Sequence, residues 1–266
     1  MSAIVVFDID GVIRDVGNSY RRALADTVAE FTNGAFRPTA IDIDKLKGEG
    51  IWNNDWEGSQ ELIYRYFESQ GQPRSQLPLN YDSAEPTLYE RIVAYFQTKY
   101  RGTDPVDWNG YICDEPLLAS REYFNSLTAA GIPWGFFSGA TSGSASYILH
   151  RRLGLTAPVL VAMEDAPGKP DPTGLFMVME QLSASQKLAE NHSIVYVGDT
   201  VADMHTIVNA RTKQPDRHFI GVGVLPPHIL ADASQIDNYR HSLLQSGAAI
   251  AIDRVTQLTP EKIDSL

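Results

Sequence analysis

The strongest constraint on this chain is a four-residue apolar run, Ile4-Val5-Val6-Phe7, that ends abruptly in Asp8, Asp10 and Gly11. A run of β-branched and aromatic residues without a polar break reads as a strand buried on both faces, the kind found inside parallel sheets. Ligands of open α/β sheets bind beyond the carboxyl ends of such strands. Two carboxylates there repel each other by about 4 kcal/mol at a separation of 4 Å and an effective dielectric of 20. A positive group between them, most simply a divalent cation, relieves that repulsion. Asp8 and Asp10 also suit a plain turn, because Asp before Gly is ordinary turn chemistry, so later stretches must decide.

The segment after this strand changes texture. Apolar residues recur at helical spacing over 19–31, and Asn33-Gly34 stops the pattern. Thr39 is placed to cap a helix that ends at Gly48, and 48–56, with two glycines and two tryptophans, reads as a loop. Residues 61–69 and 90–100 read as two more helices, and 72–86, rich in Pro, Ser and Asn, as a linker. No strand interrupts this stretch, which is far longer than the roughly 30 residues of a βα crossover. The sequence therefore predicts an α/β fold: a Rossmann-like parallel sheet core made of 1–14 and 117–266, with an inserted helical domain at 15–116.

The α/β rhythm resumes with a helix over 117–129 and a strand over 132–137 that ends at Ser138-Gly139. A helix to Leu153, a strand over 158–163 and the loop Gly168-Lys169-Pro170-Asp171-Pro172 follow, with Asp171 as helix cap and Pro172 as first helical residue. The helix 173–182 leads to a strand over 193–197 and then to Gly198-Asp199, with Asp203 four residues on. Further strands are predicted at 219–224 and 249–252.

Each junction thus carries a distinctive polar group just past a strand: Asp8 and Asp10, Ser138, Lys169, and Asp199 with Asp203. Parallel strands put these ends on one side of the sheet, where the groups converge. The chemistry suggested is phosphoryl transfer. A carboxylate such as Asp8 can attack phosphorus, and oxygen-only ligands suit Mg²⁺. Lys169 offsets the crowded acids and holds a phosphate dianion; the Ser138 hydroxyl and the Gly139 amide complete a cradle. Asp10 is placed to protonate a leaving oxygen and then to deprotonate water.

In this order Asp-x-Asp-Gly-Val, strand-Ser-Gly, Gly-Lys-Pro-Asp-Pro and Gly-Asp-x-x-x-Asp resemble the four motifs of the haloacid dehalogenase superfamily, over 1–14 and about 117–225. The resemblance implies Asp8 as nucleophile, Asp10 as acid/base, and Ser138 and Lys169 as phosphate ligands. It also implies a metal held by Asp8, Asp199 and the main-chain carbonyl of Asp10, with Asp203 a second acid supporting that site. A helical insert between the first two motifs is similar to the cap of the subfamily that includes phosphoglycolate phosphatase and β-phosphoglucomutase. Within it, Leu46-Lys47-Gly48 resembles a cap loop of the mutases.

The resemblance implies a Mg²⁺-dependent phosphatase of a small phosphorylated metabolite, with a phosphomutase and a non-catalytic phosphate-ester-binding regulator as rivals. Asp10 sets the chain apart from the dehalogenases, which lack the second acid. Specificity is expected in the insert loop, where Lys47 and Asn53 are the candidate substrate-binding residues and Trp52 and Trp56 either face substrate or pack the helices. The formal charge of −11 offers no basic field for nucleic acid. The single cysteine, Cys113, the lack of an apolar run of membrane-spanning length and the lack of a leader pattern set the expectation of a cytoplasmic protein with no membrane partner.

Overall fold

The computed structural model describes residues 3–49, 51–52, 54–76, 86–186 and 192–266. They form two compact units, one of Met1–Asp15 with Pro116–Leu266 and one of Val16–Glu115. Each division falls one residue from the boundaries 14/15 and 116/117 read in the sequence.

Among its described residues the first unit holds six strands: β1 Ala3–Phe7, β2 Trp134–Phe137, β3 Leu160–Val161, β4 Ser193–Gly198, β5 Phe219–Val224 and β6 Ala248–Ile252. They pair in the order β3-β2-β1-β4-β5-β6, and every pair is parallel. This is the doubly wound Rossmann order, in which the direction of chain progress reverses at the central strand. Right-handed crossovers then set helices on both faces.

Side-chain alternation along β1 shows the two faces. Ile4 and Val6 join Phe137, Leu175, Val178, Leu182, Tyr196 and Ile207 in one buried cluster, under the helices Thr173–Gln186 and Val201–Lys213. Phe7 points the other way, into an aromatic group in which its ring lies 5.7 Å from Phe124 and 6.1 Å from Phe136. Phe124 comes from the helix Arg121–Ala129 and is fully buried. Every residue of β1, β4 and β5 is buried, which explains their near-continuous apolar sequences.

Among the core elements whose bounds differ from the sequence expectation, two have a visible cause. The helix expected over 117–129 begins only at Arg121, because Leu117 is taken up in an antiparallel bridge with Arg14. The strand expected over 158–163 contracts to Leu160–Val161, and Ala157, at φ 43°, turns the chain three residues before it. The stop at Gly154 stands, with φ +68°.

The second unit has helices and no strand among its described residues: Tyr20–Phe31, Ala40–Gly48, Asp55–Ser69 and Leu88–Tyr100, with short 3-10 turns at Arg74–Gln76 and Tyr111–Asp114. Its centre is aromatic, with Tyr20 stacked on Tyr100 at 4.2 Å and Trp56 meeting Phe96 edge-on. Thr39 and Thr87 each close a capping box, with Asp42 and Glu90. The third helix starts at Asp55, six residues before the expected 61, because Asn54 accepts from the amides of Trp56 and Glu57 and so caps it. Most of the expected linker 72–86 lies outside the described residues. Among the described residues no helix is long and apolar enough to cross a membrane.

Phe124→Ala is expected to destabilise the sheet-bearing unit by about 3–5 kcal/mol, the range for deleting a buried ring. Urea unfolding followed by tryptophan fluorescence reads this as a lower midpoint; an unchanged midpoint would contradict the packing described.

Candidate active site at the carboxyl ends of the strands

The site is built by strand register. Phe7 of β1 lies opposite Val197 of β4, and the Asp8 amide donates to the Val197 carbonyl at 2.8 Å. The next residues on the two chains are therefore Asp8 and the Gly198-Asp199 turn, side by side where both strands end. Asp203 follows in the first turn of the helix Val201–Lys213, whose N-cap Thr200 forms a capping box with it. Carboxylate oxygens of Asp8, Asp199 and Asp203 all lie within 4.8 Å of one another.

Two glycines make this crowding possible. A Cβ on Gly11 would stand 2.0 Å from Oδ2 of Asp199, and Gly11 also has φ +73°. A Cβ on Gly198 would stand 2.3 Å from Cβ of Asp203. Any other residue at either place would force a carboxylate out of the cluster.

Lys169 supplies the opposing charge. Its ammonium sits 2.8 Å from Asp8 Oδ1 and 2.7 Å from Asp203 Oδ1. The rings of Phe137 and Tyr196 lie beneath it, with centroids at 5.4 and 5.6 Å. The loop that presents Lys169 is pinned by Asp171, whose carboxylate accepts from the Thr173 amide as the sequence suggested, and by Asn209, which donates to the Pro170 carbonyl at 2.9 Å. The Lys169–Pro170 peptide bond is cis.

The three acids differ in how their oxygens are used. Oδ1 of Asp203 receives the Tyr196 hydroxyl at 2.9 Å as well as Lys169, and Oδ2 receives the Thr200 amide and hydroxyl at 3.0 and 2.6 Å. Its acceptor capacity is full, so it orients Lys169 rather than offering a free oxygen. Asp8 is the opposite case: its Oδ1 is buried and, among the described residues, accepts no well-directed hydrogen bond beyond the ion contact with Lys169. Asp199 is held by its backbone, where Tyr239 donates to its carbonyl at 2.8 Å.

The electrostatics follow. Burial raises Asp8 to about 7, against the pull of Lys169 and with the charges of Asp203 and Asp10 adding to it. Burial, then the charges of Asp203 and Asp8, push Asp199 well above the usual carboxylate range. Asp203 lies below that range: burial works against its charge, but Lys169 and the Thr200 donors outweigh it. Burial alone would lower Lys169, yet Asp203 and Asp8 hold it above the ordinary lysine value. A pair of buried carboxylates whose charge a single shared lysine does not fully offset is a fitting donor set for a hard divalent cation.

Asp10 stands apart from this cluster. It follows β1, its side chain is 30 % exposed, and its Oδ1 accepts from Arg14 Nε at 2.6 Å. Ser138 ends β2, which pairs with β1; it is buried, and its hydroxyl oxygen accepts from the Ala140 amide at 3.1 Å. That leaves its proton to donate. Gly139 follows it and is exposed, with nothing within 4 Å of where a Cβ would be.

The two candidate residues of the insert lie in the other unit. Lys47 pairs with Asp55 at 2.7 Å, and Asn53 lies outside the described residues. Trp56 packs into the aromatic centre, and Trp52 donates to Glu49 at 2.8 Å. Tyr196, Thr200, Tyr239 and Arg14 escaped the sequence reading. Thr200 alone carried a local signal, as the Thr-x-x-Asp of a capping box.

A parallel doubly wound sheet with acids gathered around a buried lysine at its carboxyl ends defines a class of α/β enzymes. The model of the haloacid dehalogenase-like hydrolase family matches residues 3–211, and the chain belongs to that family. A relative named imidazoleglycerol-phosphate dehydratase, from Phytophthora nicotianae, is 29% identical over 210 residues, which is 75% of this chain but only 40% of that protein. Phosphatase Tt82 from Thermococcus thioreducens has a similar structure, with a TM-score of 0.63 at 23% identity over 82% of this chain and 92% of that one. A β-phosphoglucomutase from Clostridium difficile gives 0.60 at 15% identity over 100% and 96%. At such identities these structures speak for the fold.

The raised Asp8 makes a pH prediction. In the unfolded chain it ionises near the ordinary aspartate value of 3.8, in the folded chain near 7. Between those values the folded state holds the extra proton, so the contribution of Asp8 to stability falls as pH rises. In the presence of a chelator, Asp8→Asn should gain thermal stability relative to wild type from pH 4 to pH 8. A gap in Tm that does not change over this range would show that Asp8 is not the strained group.

Proposed function

We propose that this protein is a Mg²⁺-dependent phosphatase of small phosphorylated metabolites, working in the cytoplasm through an aspartyl phosphate on Asp8. The observation that carries the reading is the arrangement of Asp8, Asp199 and Asp203 around Lys169, which contacts only Asp8 and Asp203 among them. Asp8 and Asp199, with the main-chain carbonyl of Asp10, would hold the cation, and Asp203 would support the site by fixing Lys169. When bound, Mg²⁺ supplies charge neutralisation at the phosphoryl oxygens.

The chain's own groups divide the rest of the work. Lys169, the Ser138 hydroxyl and the Gly139 amide bind the phosphate. Asp8 attacks phosphorus, the ester P–O bond breaks, and Asp10 gives its proton to the departing oxygen. Water then attacks the phosphoryl group on Asp8, giving a proton to Asp10, and phosphate leaves with Asp8 restored. The Val16–Glu115 unit acts as the cap, with Lys47 and Asn53 contributing to recognition of the leaving group.

A phosphomutase reading has support in Leu46-Lys47-Gly48 and in the fold shared with a β-phosphoglucomutase. One assay separates the two: phosphate release from a panel of phosphorylated metabolites with Mg²⁺, repeated with a sugar monophosphate plus its bisphosphate. The panel should include imidazoleglycerol phosphate, the ester named in the relative from Phytophthora nicotianae. Isomerisation faster than phosphate release would favour the mutase.

Asp8→Asn should abolish turnover in a folded protein, because an amide is too poor a nucleophile; normal phosphate release would refute the nucleophile assignment. Asp10→Asn should slow hydrolysis of an ester with a poor leaving group by about 10²–10⁴-fold, the usual size of acid-base catalysis. The loss should be smaller for p-nitrophenyl phosphate in single-turnover phosphorylation. Activity should vanish after exhaustive chelation, return with Mg²⁺ and stay low with Ca²⁺, whose longer bonds and higher coordination number draw Asp8 away from attack. Full activity in chelator would overturn the metal-dependent reading.

A further inference from the structure

Among the described residues the largest fully buried side chain is a charged one, Arg14, and it touches the proposed acid/base. A buried guanidinium is expensive unless paired and hydrogen-bonded. The main-chain geometry around it makes no demand for arginine. Gly11 donates to the Arg14 carbonyl at 2.9 Å, the Arg14 amide donates to the Ile9 carbonyl at 3.1 Å, and Leu118 donates to the Ile13 carbonyl at 2.8 Å. Those bonds form with any residue but proline at position 14.

One contact that the side chain adds is directed at Asp10. Residues 9–14 make one tight turn, closed by the Ile13 and Arg14 amides on the Ile9 carbonyl. The turn brings positions 10 and 14 to the same side, and Nε of Arg14 meets Oδ1 of Asp10 at 2.6 Å. Arg14 is wholly shielded while the Asp10 side chain stays 30 % exposed. One carboxylate oxygen is therefore held from inside by a planar, rigid donor, and the other is left on the accessible side.

We propose that Arg14 is the positioning residue of the proton-transferring group: by fixing Oδ1 of Asp10 it commits Oδ2 to the exchange. In the first half-reaction the proton passes from Oδ2 to the ester oxygen as the P–O bond breaks. In the second, Oδ2 receives the proton of the attacking water as the bond from Asp8 to phosphorus breaks. The inference rests on the reading of Asp10 as acid/base given above.

A double-variant cycle tests it. Single-turnover phosphorylation is measured with phenyl phosphate and p-nitrophenyl phosphate plus Mg²⁺, for wild type, Arg14→Met, Asp10→Asn and the double variant, with circular dichroism confirming the fold. Arg14→Met should lower the rate with phenyl phosphate by about 10²-fold, the scale of a 1 Å misplacement of a reacting group. KM should move much less, and p-nitrophenyl phosphate should lose less than phenyl phosphate. On the Asp10→Asn background the same substitution should have no further effect, because the group it positions is gone. Arg14→Lys, which keeps the charge but not the planar donor, should recover part of the rate. Should Arg14→Met fail to fold, Arg14→Lys and Arg14→Gln complete the same cycle. A slow Asp10→Asn with an unimpaired Arg14 variant would sink this inference alone. Full multiplicative losses in the double variant would make Arg14 a structural residue and do the same. An unimpaired Asp10→Asn would remove the acid/base reading and this inference with it.

Discussion

The site depends on one electrostatic arrangement, three buried carboxylates sharing a single buried ammonium. Lys169 reaches Asp8 and Asp203 at 2.8 and 2.7 Å, and this contact sets the role of each acid. Asp203, saturated by Lys169, Tyr196 and Thr200, keeps its charge at the expense of flexibility. Asp8 and Asp199 share what compensation remains and are pushed towards their neutral forms. Four titratable groups pressed together acquire different properties because their hydrogen-bond partners differ, as expected when environment rather than residue type sets acidity.

The fold provides this arrangement through register and small residues. β1 and β4 are neighbours although most of the chain separates them, and their pairing brings Asp8 and Asp199 together. Gly11 and Gly198 remove the side chains that would keep the acids apart. The aromatic floor under Lys169 is contributed by the ends of β2 and β4, through Phe137 and Tyr196. The strands beside β1 thus supply both the charges and the surface that shields them.

Much of this was legible in the sequence, for identifiable reasons. β1, β4 and β5 are buried on both faces, so their apolar runs are unbroken and their limits are sharp. Asp8, Asp199 and Lys169 follow strand ends, a position that local pattern reveals. Features resting on tertiary contact were not legible. The helix at Asp55 has a glycine and a serine in its first turns, and Gly58 packs close to Leu46, whose side chain would lie 3.2 Å from a Cβ. β3 is too short to leave a periodic signature. Tyr196 looks like any strand residue until its hydroxyl is seen on Asp203. Arg14 reads as a surface charge next to Asp15, although it is fully buried.

The neck of the insertion carries a separate consequence. Where the chain leaves the sheet-bearing unit, the Asp15 amide donates to the Pro116 carbonyl at 2.9 Å, and Arg14 bridges Leu117 just inside. A hundred-residue excursion is thus tied off at its base like a purse-string, by bonds that belong wholly to the unit it departs from. The sheet registers none of the excursion's length or sequence, only the span across its mouth. Such a joint is a docking point for grafting: lineages can exchange what lies beyond residue 15 while β1 and β2 keep their register and the acids keep their places. Variation can then accumulate in one unit while the strand register of the other is left untouched.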